Sequence, residues 1–118
     1  MAQIIYTDGH CNGANGIGGL FPQSGYTALL IDSQKKEIHY IKKDLTNNEA
    51  ELLAIFHALS IAKHKAIVYS DSMIAITNSL KGSSKEARFE LICIANRFLI
   101  DTKKITLKWV NREDNPIT

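Results

Sequence analysis

Ile67-Val68-Tyr69-Ser70-Asp71 is an apolar, largely β-branched stretch that ends in a hydroxyl and then an aspartate. It echoes Ile4-Ile5-Tyr6-Thr7-Asp8 near the N-terminus. Both stretches read as short strands: the first is stopped by Asp8-Gly9, while Ala66 to Tyr69 is a continuous apolar run suited to the middle of a sheet. Between them, Tyr26 to Ile31 and Ile38 to Ile41 read as two further strands, joined by the polar Asp32 to Lys36 as a hairpin connection. Thr46-Asn47-Asn48 is a helix start signal, and Glu49 to Lys63 is apolar nearly all round, so this helix is expected to be largely buried. Met73 to Leu80 reads as a short helix ended by Gly82. Ser83-Ser84 is suited to cap a longer one that carries Leu91, Ile92, Ala95, Phe98 and Leu99 at helical spacing. Ile105 to Val110 is the final strand. Strands first, then strands alternating with helices, predict a mixed sheet with helices packed on its faces.

A chain of 118 residues fits one domain, here spanning 1–118, and no linker or composition shift divides it. The longest strongly apolar run, Leu52 to Ala62, is about half a bilayer span and contains His57, so no membrane association is expected. The N-terminus lacks the basic flank and cleavage site of a signal peptide. Two cysteines, Cys11 and Cys93, make no disulfide framework and read as free thiols, which suits a reducing cytoplasm. With 14 basic against 12 acidic side chains, net charge by itself selects no partner.

Ligands of open α/β sheets bind beyond the carboxyl ends of strands. If the two echoing strands lie parallel and adjacent, Asp8 and Asp71 emerge at one edge. Two close carboxylates repel unless one is protonated or a cation lies between them. Oxygen ligands without matching His or Cys point to Mg²⁺ or Mn²⁺ rather than zinc. Either aspartate alone reads as a turn cap; the pair reads equally as a cation site. Glu49 and Glu51 open the buried helix, where the helix dipole and a capping box account for Glu49 and are also able to account for Glu51. Spacing does not separate the two.

Tyr6-Thr7-Asp8-Gly9-His10-Cys11, the glycine-rich run 13–19, Thr46-Asn47-Asn48-Glu49-Ala50-Glu51 and Tyr69-Ser70-Asp71-Ser72 resemble, in order, the motifs of ribonuclease HI. Trp109 to Glu113 with Asn115 is similar to that family's last strand and the loop after it. The resemblance implies a ribonuclease H-like α/β fold: a five-stranded mixed sheet, three antiparallel strands and then parallel ones, with helices on both faces. It implies a metal-dependent endonuclease that cuts the RNA strand of RNA/DNA hybrids and leaves 5′-phosphate ends. On that basis Asp8, Glu51 and Asp71 are the metal-binding carboxylates, for Mg²⁺ or Mn²⁺ and with two ions when substrate is bound. Cys11, Asn12, Thr46, Asn47 and Ser72 fall where the family meets its hybrid substrate, and a monomer is expected. A catalytically silent hybrid- or double-stranded-RNA-binding module is the alternative. A different nuclease on the same fold and a phosphoryl-accepting receiver-like domain are weaker rivals.

The chain also departs from the pattern. The family's fourth carboxylate would fall just past Thr118, so either the chain continues or that ligand is missing, with Glu113 or Asp114 as possible substitutes. The loop Asn111-Arg112-Glu113-Asp114 carries no histidine, which leaves Glu113 as a candidate for that role. Lys81 to Ser84 leaves no room for the basic insertion of some members, and weaker substrate binding is expected. Ala14-Asn15 stands where many members read Asn-Pro. His57 and His64 read as packing or solvent-facing residues, His10 as a turn residue or an electrostatic neighbour of Asp8, and Trp109 as a core residue of the last strand.

Overall fold

The computed structural model describes residues 2–11, 23–42 and 45–117. In chain order it has strands β1 (Ile4–Cys11), β2 (Gln23–Ile31) and β3 (Gln34–Lys42), helix α1 (Asn47–Ile61), strand β4 (Ile67–Ser70) and helix α2 (Met73–Lys81). Helix α3 (Glu90–Lys103) and strand β5 (Thr106–Trp109) follow, with single 3₁₀ turns at Ala87–Phe89 and Arg112–Asp114. The strands form one mixed sheet in the order β3-β2-β1-β4-β5. β1–β2 and β2–β3 are antiparallel, while β1–β4 and β4–β5 are parallel.

The hairpin between β2 and β3 is tighter than the polar stretch suggests. Only Asp32 and Ser33 form the turn, with φ of 47° and 75°. Gln34 to Lys36 already belong to β3, and an edge strand takes polar side chains without penalty. Positive φ at both positions is the geometry of a type I′ turn, which favours glycine at the second. Ser33→Gly is therefore expected to raise unfolding stability by about 0.5–1 kcal/mol, the relief of the left-handed penalty less glycine's extra chain entropy. Urea denaturation checks this, and a lower midpoint would contradict it.

Ile5, Leu29 and Val68 project from one face of the sheet into a core completed by Leu52, Ile55 and Leu59 of α1, Ile76 of α2, and Cys93 and Ile100 of α3. α1 packs against β1 and β2 and also touches α2 and α3. The described helices therefore share one core on one face, where cover on both faces was expected. On the other face Tyr6 and Tyr69 stack with ring centroids 4.8 Å apart.

The helix ends follow local chemistry. Thr46 caps α1, its Oγ1 accepting from the Glu49 N–H at 3.2 Å. The last turn of α1 has no basic residue of its own, and Lys103 Nζ from α3 donates to the carbonyls of Leu59, Ser60 and Ala62. Ser72 caps α2, and Gly82 closes it at φ 70°.

Three expectations are corrected. Ser84 does not cap α3: its Oγ accepts from the Glu86 N–H in a local turn, and α3 begins at Glu90 after the 3₁₀ turn. The buried line of that helix is Phe89, Cys93, Asn96 and Ile100, so Leu91 (80% exposed) and Phe98 (65%) face outward. Asn96 Nδ2 donates to Ser79 Oγ on α2 at 3.0 Å, while its Oδ1 is buried without a hydrogen-bond partner. Trp109 is 49% exposed rather than a core residue. It lies on the four-residue edge strand β5, where Leu107 makes the core contact.

Candidate metal centre

β1 does not stop at Asp8. It runs to Cys11 because β2 keeps pairing with it, from Asp8↔Ala28 to Cys11↔Gly25. What does stop is the parallel ladder with β4, which ends at Tyr6↔Tyr69. Asp8 therefore lies mid-strand, just where its β4 neighbour turns away. Asp71 follows the last residue of β4 directly, and Ser72 then opens α2. The Thr7 hydroxyl donates to the Tyr69 carbonyl at 2.9 Å, and this ties the two aspartate-bearing segments together where the ladder opens.

Glu51 comes from the start of α1. The helix backbone lies hard against β1: a Cβ on Gly9 would fall 2.1 Å from the Ala50 carbonyl oxygen. This approach lets Gly9 N–H donate to Glu51 Oε1. Ligand oxygens of Asp8, Glu51 and Asp71 consequently lie within 4.8 Å of one another. Asp71 Oδ2 is buried there without a hydrogen-bond partner. Glu49 is not one of the clustered acids; it is buried, and its backbone N–H serves the α1 cap.

The cluster is electrostatically strained. Burial, a hydrogen bond with Asp71 and the charges of Asp71 and Asp8 push the Glu51 carboxyl up to about 9, against the pull of the Gly9 N–H. Burial and the Asp71 charge also raise Asp8, while the neighbouring Arg112 and His10 draw it back. An isolated protein gains nothing from crowding three acids in this way. Three converging carboxylates, one of them with a buried and unpartnered oxygen, fit a hard divalent cation, which takes an all-oxygen shell.

The remaining residues singled out from the sequence divide. Asn47 and Ser72 line the same cleft as the three acids, together with Asn48. Thr46 spends its hydroxyl on the α1 cap, and Ser72 on the α2 cap. Cys11 turns its thiol inward, Sγ donating to the Leu45 carbonyl at 3.4 Å, while its N–H donates to Asn47 Oδ1. Burial pushes that thiol's pKa up, so it is held as the neutral thiol. Asn12 and Asn15 lie outside the described residues. Glu113 and Asp114 are exposed on the 3₁₀ turn and do not join the acid cluster. Arg112 lines the cleft instead, a residue the sequence offered only as a neighbour of Glu113. His57 is bonded through Nδ1 to Thr27 Oγ1 at 2.8 Å, and His10 sits beside Tyr26.

A family model described as RNase H matches residues 1–112. The chain belongs to the ribonuclease H family. Its sheet, three antiparallel strands followed by parallel ones, is the ribonuclease H-like fold. The ribonuclease H of Acetivibrio thermocellus is 40% identical over 80 residues, which cover 65% of this chain and 50% of that protein. The ribonuclease H of Francisella tularensis subsp. novicida is 41% identical over 71 residues, covering 58% of this chain and 43% of that protein. This ribonuclease H family chain thus spans about half the length of the curated relatives it matches.

Proposed function

We propose that the chain hydrolyses the RNA strand of RNA/DNA hybrids, with Asp8, Glu51 and Asp71 holding two divalent ions, Mg²⁺ or Mn²⁺. The observation that carries this reading is the convergence of three carboxylates, one of which, Asp71, has a buried and unpartnered oxygen. Held by these three carboxylates, such ions would supply Lewis-acid chemistry, activating a water and stabilising the leaving 3′-oxygen of a phosphodiester. The chain's own residues set the geometry. Gly9 N–H orients Glu51, Thr7 holds β4 against β1, and the Ser70 hydroxyl accepts from the Ser72 N–H so that Asp71 stands at a fixed turn. Asn47, Asn48 and Ser72 beside the acids are small polar groups of the type that reads 2′-hydroxyls across a shallow minor groove. One sheet and one core support reading 1–118 as a single domain, which we take to act as a monomer. Two free thiols suit a reducing, cytoplasmic setting. No described helix is long and apolar enough to cross a membrane.

The direct test is cleavage of a labelled RNA/DNA hybrid with Mg²⁺ or Mn²⁺, beside single-stranded RNA and duplex DNA. Hybrid-specific cutting supports the reading. Tight hybrid binding with no cutting under either metal would favour a silent binding module.

Glu51 makes a pH prediction. Its carboxyl rises from an ordinary 4.5 to about 9, so between those values the folded metal-free chain keeps a proton that the unfolded chain has lost. Stability of the metal-free protein is expected to fall as pH rises through that window. Metal affinity is expected to rise over the same range, with proton release on binding at pH 7. Calorimetric titration of Mn²⁺ in buffers of different ionisation enthalpy checks this; a heat independent of buffer would contradict it.

A further inference from the structure

The segment after β5 is fastened to the site by a buried amide. Asn115 is 3% exposed, and its Nδ2 donates to the Thr7 carbonyl, next to Asp8, at 3.0 Å. Its Oδ1 accepts from the Ile117 N–H at 3.3 Å, and its own N–H donates to the Arg112 carbonyl at 3.3 Å. At the start of the same segment, directly after β5, Val110 N–H donates to the Ser70 carbonyl beside Asp71. Arg112 is thus held between two anchors, each on a residue adjacent to a site aspartate. Its side chain lines the cleft with Asp8, Glu51 and Asp71 while staying exposed. A cation in that place does not ligate a metal, and it repels one. It does suit a phosphodiester, whose oxygens a guanidinium engages as a planar fork.

We propose that Arg112 contacts a backbone phosphate of the nucleic acid at the reacting centre, and that Asn115 is the positioning residue that sets it there. This rests on the nuclease reading above. It makes the loop after β5 a source of positive charge to the substrate, where the sequence had suggested the acids Glu113 and Asp114. Truncating Arg112 removes a positive charge beside the metal carboxylates, so metal binding is expected to hold or tighten while turnover falls. A residue that merely shores up the carboxylates would lose both together.

The test uses Arg112→Ala, Arg112→Lys, Asn115→Ala and the Arg112→Ala/Asn115→Ala double variant, each assayed well below its own melting temperature. Mn²⁺ binding to the protein alone is measured by calorimetry, and kcat/KM on a labelled RNA/DNA hybrid. Arg112→Ala is expected to lower kcat/KM about tenfold or more with Mn²⁺ affinity unchanged or higher, and lysine to recover part of the loss. Asn115→Ala is expected to lower kcat/KM in the wild-type background and to add nothing once Arg112 is gone. Arg112 is exposed, so its variants report even if Asn115→Ala fails to fold. Wild-type kcat/KM in Arg112→Ala, a parallel fall in its Mn²⁺ affinity, or an additive double variant would each overturn the proposal. Failure of the wild-type chain to cut hybrid under either metal would instead overturn the nuclease reading beneath it.

Discussion

Asp71→Asn is expected to lower hybrid cleavage by about 10³-fold or more, equivalent to some 4 kcal/mol of transition-state stabilisation. Asparagine keeps the shape and one oxygen of the side chain but removes an anionic ligand from a set of three. The metal-free fold should not suffer. Asp71 is a principal source of the repulsion and hydrogen bonding that push Glu51 upward, so its neutralisation lets the Glu51 carboxyl fall back toward its ordinary range. The expected pattern is therefore lost cleavage, weakened Mn²⁺ binding and a melting temperature equal to or above wild type without metal. Steady-state kinetics, calorimetry and a thermal melt measure the three. Lost activity with a lower metal-free melting temperature would show Asp71 to be structural.

Gly9→Ala should produce the largest loss of stability, about 3–5 kcal/mol, out of a total that in domains of this kind is typically about 5–15 kcal/mol. The added methyl would meet the Ala50 carbonyl oxygen at 2.1 Å, the Ala50 carbonyl carbon at 2.2 Å and the Glu51 N at 2.5 Å. All three are main-chain atoms in the first turns of α1, and no side chain there is able to swing aside. Relief comes only by lifting the helix from β1, which also draws Glu51 away from the Gly9 N–H. Denaturant titration reads the stability, and Mn²⁺ affinity of the folded fraction reads the site. A loss below about 1 kcal/mol would show that the helix does not sit this close.

Much of this was legible because apolar runs bounded by turn residues have one reading. The strands and helices fall where the pattern places them, and the echo of Ile4–Asp8 in Ile67–Asp71 brings both aspartates to one edge. What stayed hidden depends on neighbours in space. Asp8 read as a strand end because the pairing with β2, which carries β1 on to Cys11, is invisible in local sequence. Glu49 and Glu51 are equivalent by spacing, and the family resemblance chose between them. Their physical difference involves Gly9, whose missing side chain lets α1 approach β1 and whose N–H donates to Glu51. In α3 a count of apolar residues favours Leu91 and Phe98. The buried Asn96–Ser79 pair, polar on both sides, turns a different line inward. Arg112 was overlooked because a loop cation has no periodicity, and the asparagine that anchors it reveals its partner only in three dimensions.

Along β1, the residues Thr7, Gly9 and Cys11 each reach a different part of the site: β4 and Asn115, then Glu51, then Asn47. The spacing is the two-residue repeat of a strand, so a single strand acts as a ruler against which every other segment is aligned. Such an arrangement is tolerant of change at the intervening positions and brittle to any change of length. One residue inserted or deleted between Ile4 and Thr7 would put each of the three on the opposite face at once. Function in this fold is therefore encoded as much in a count of residues along one strand as in the identity of its acids.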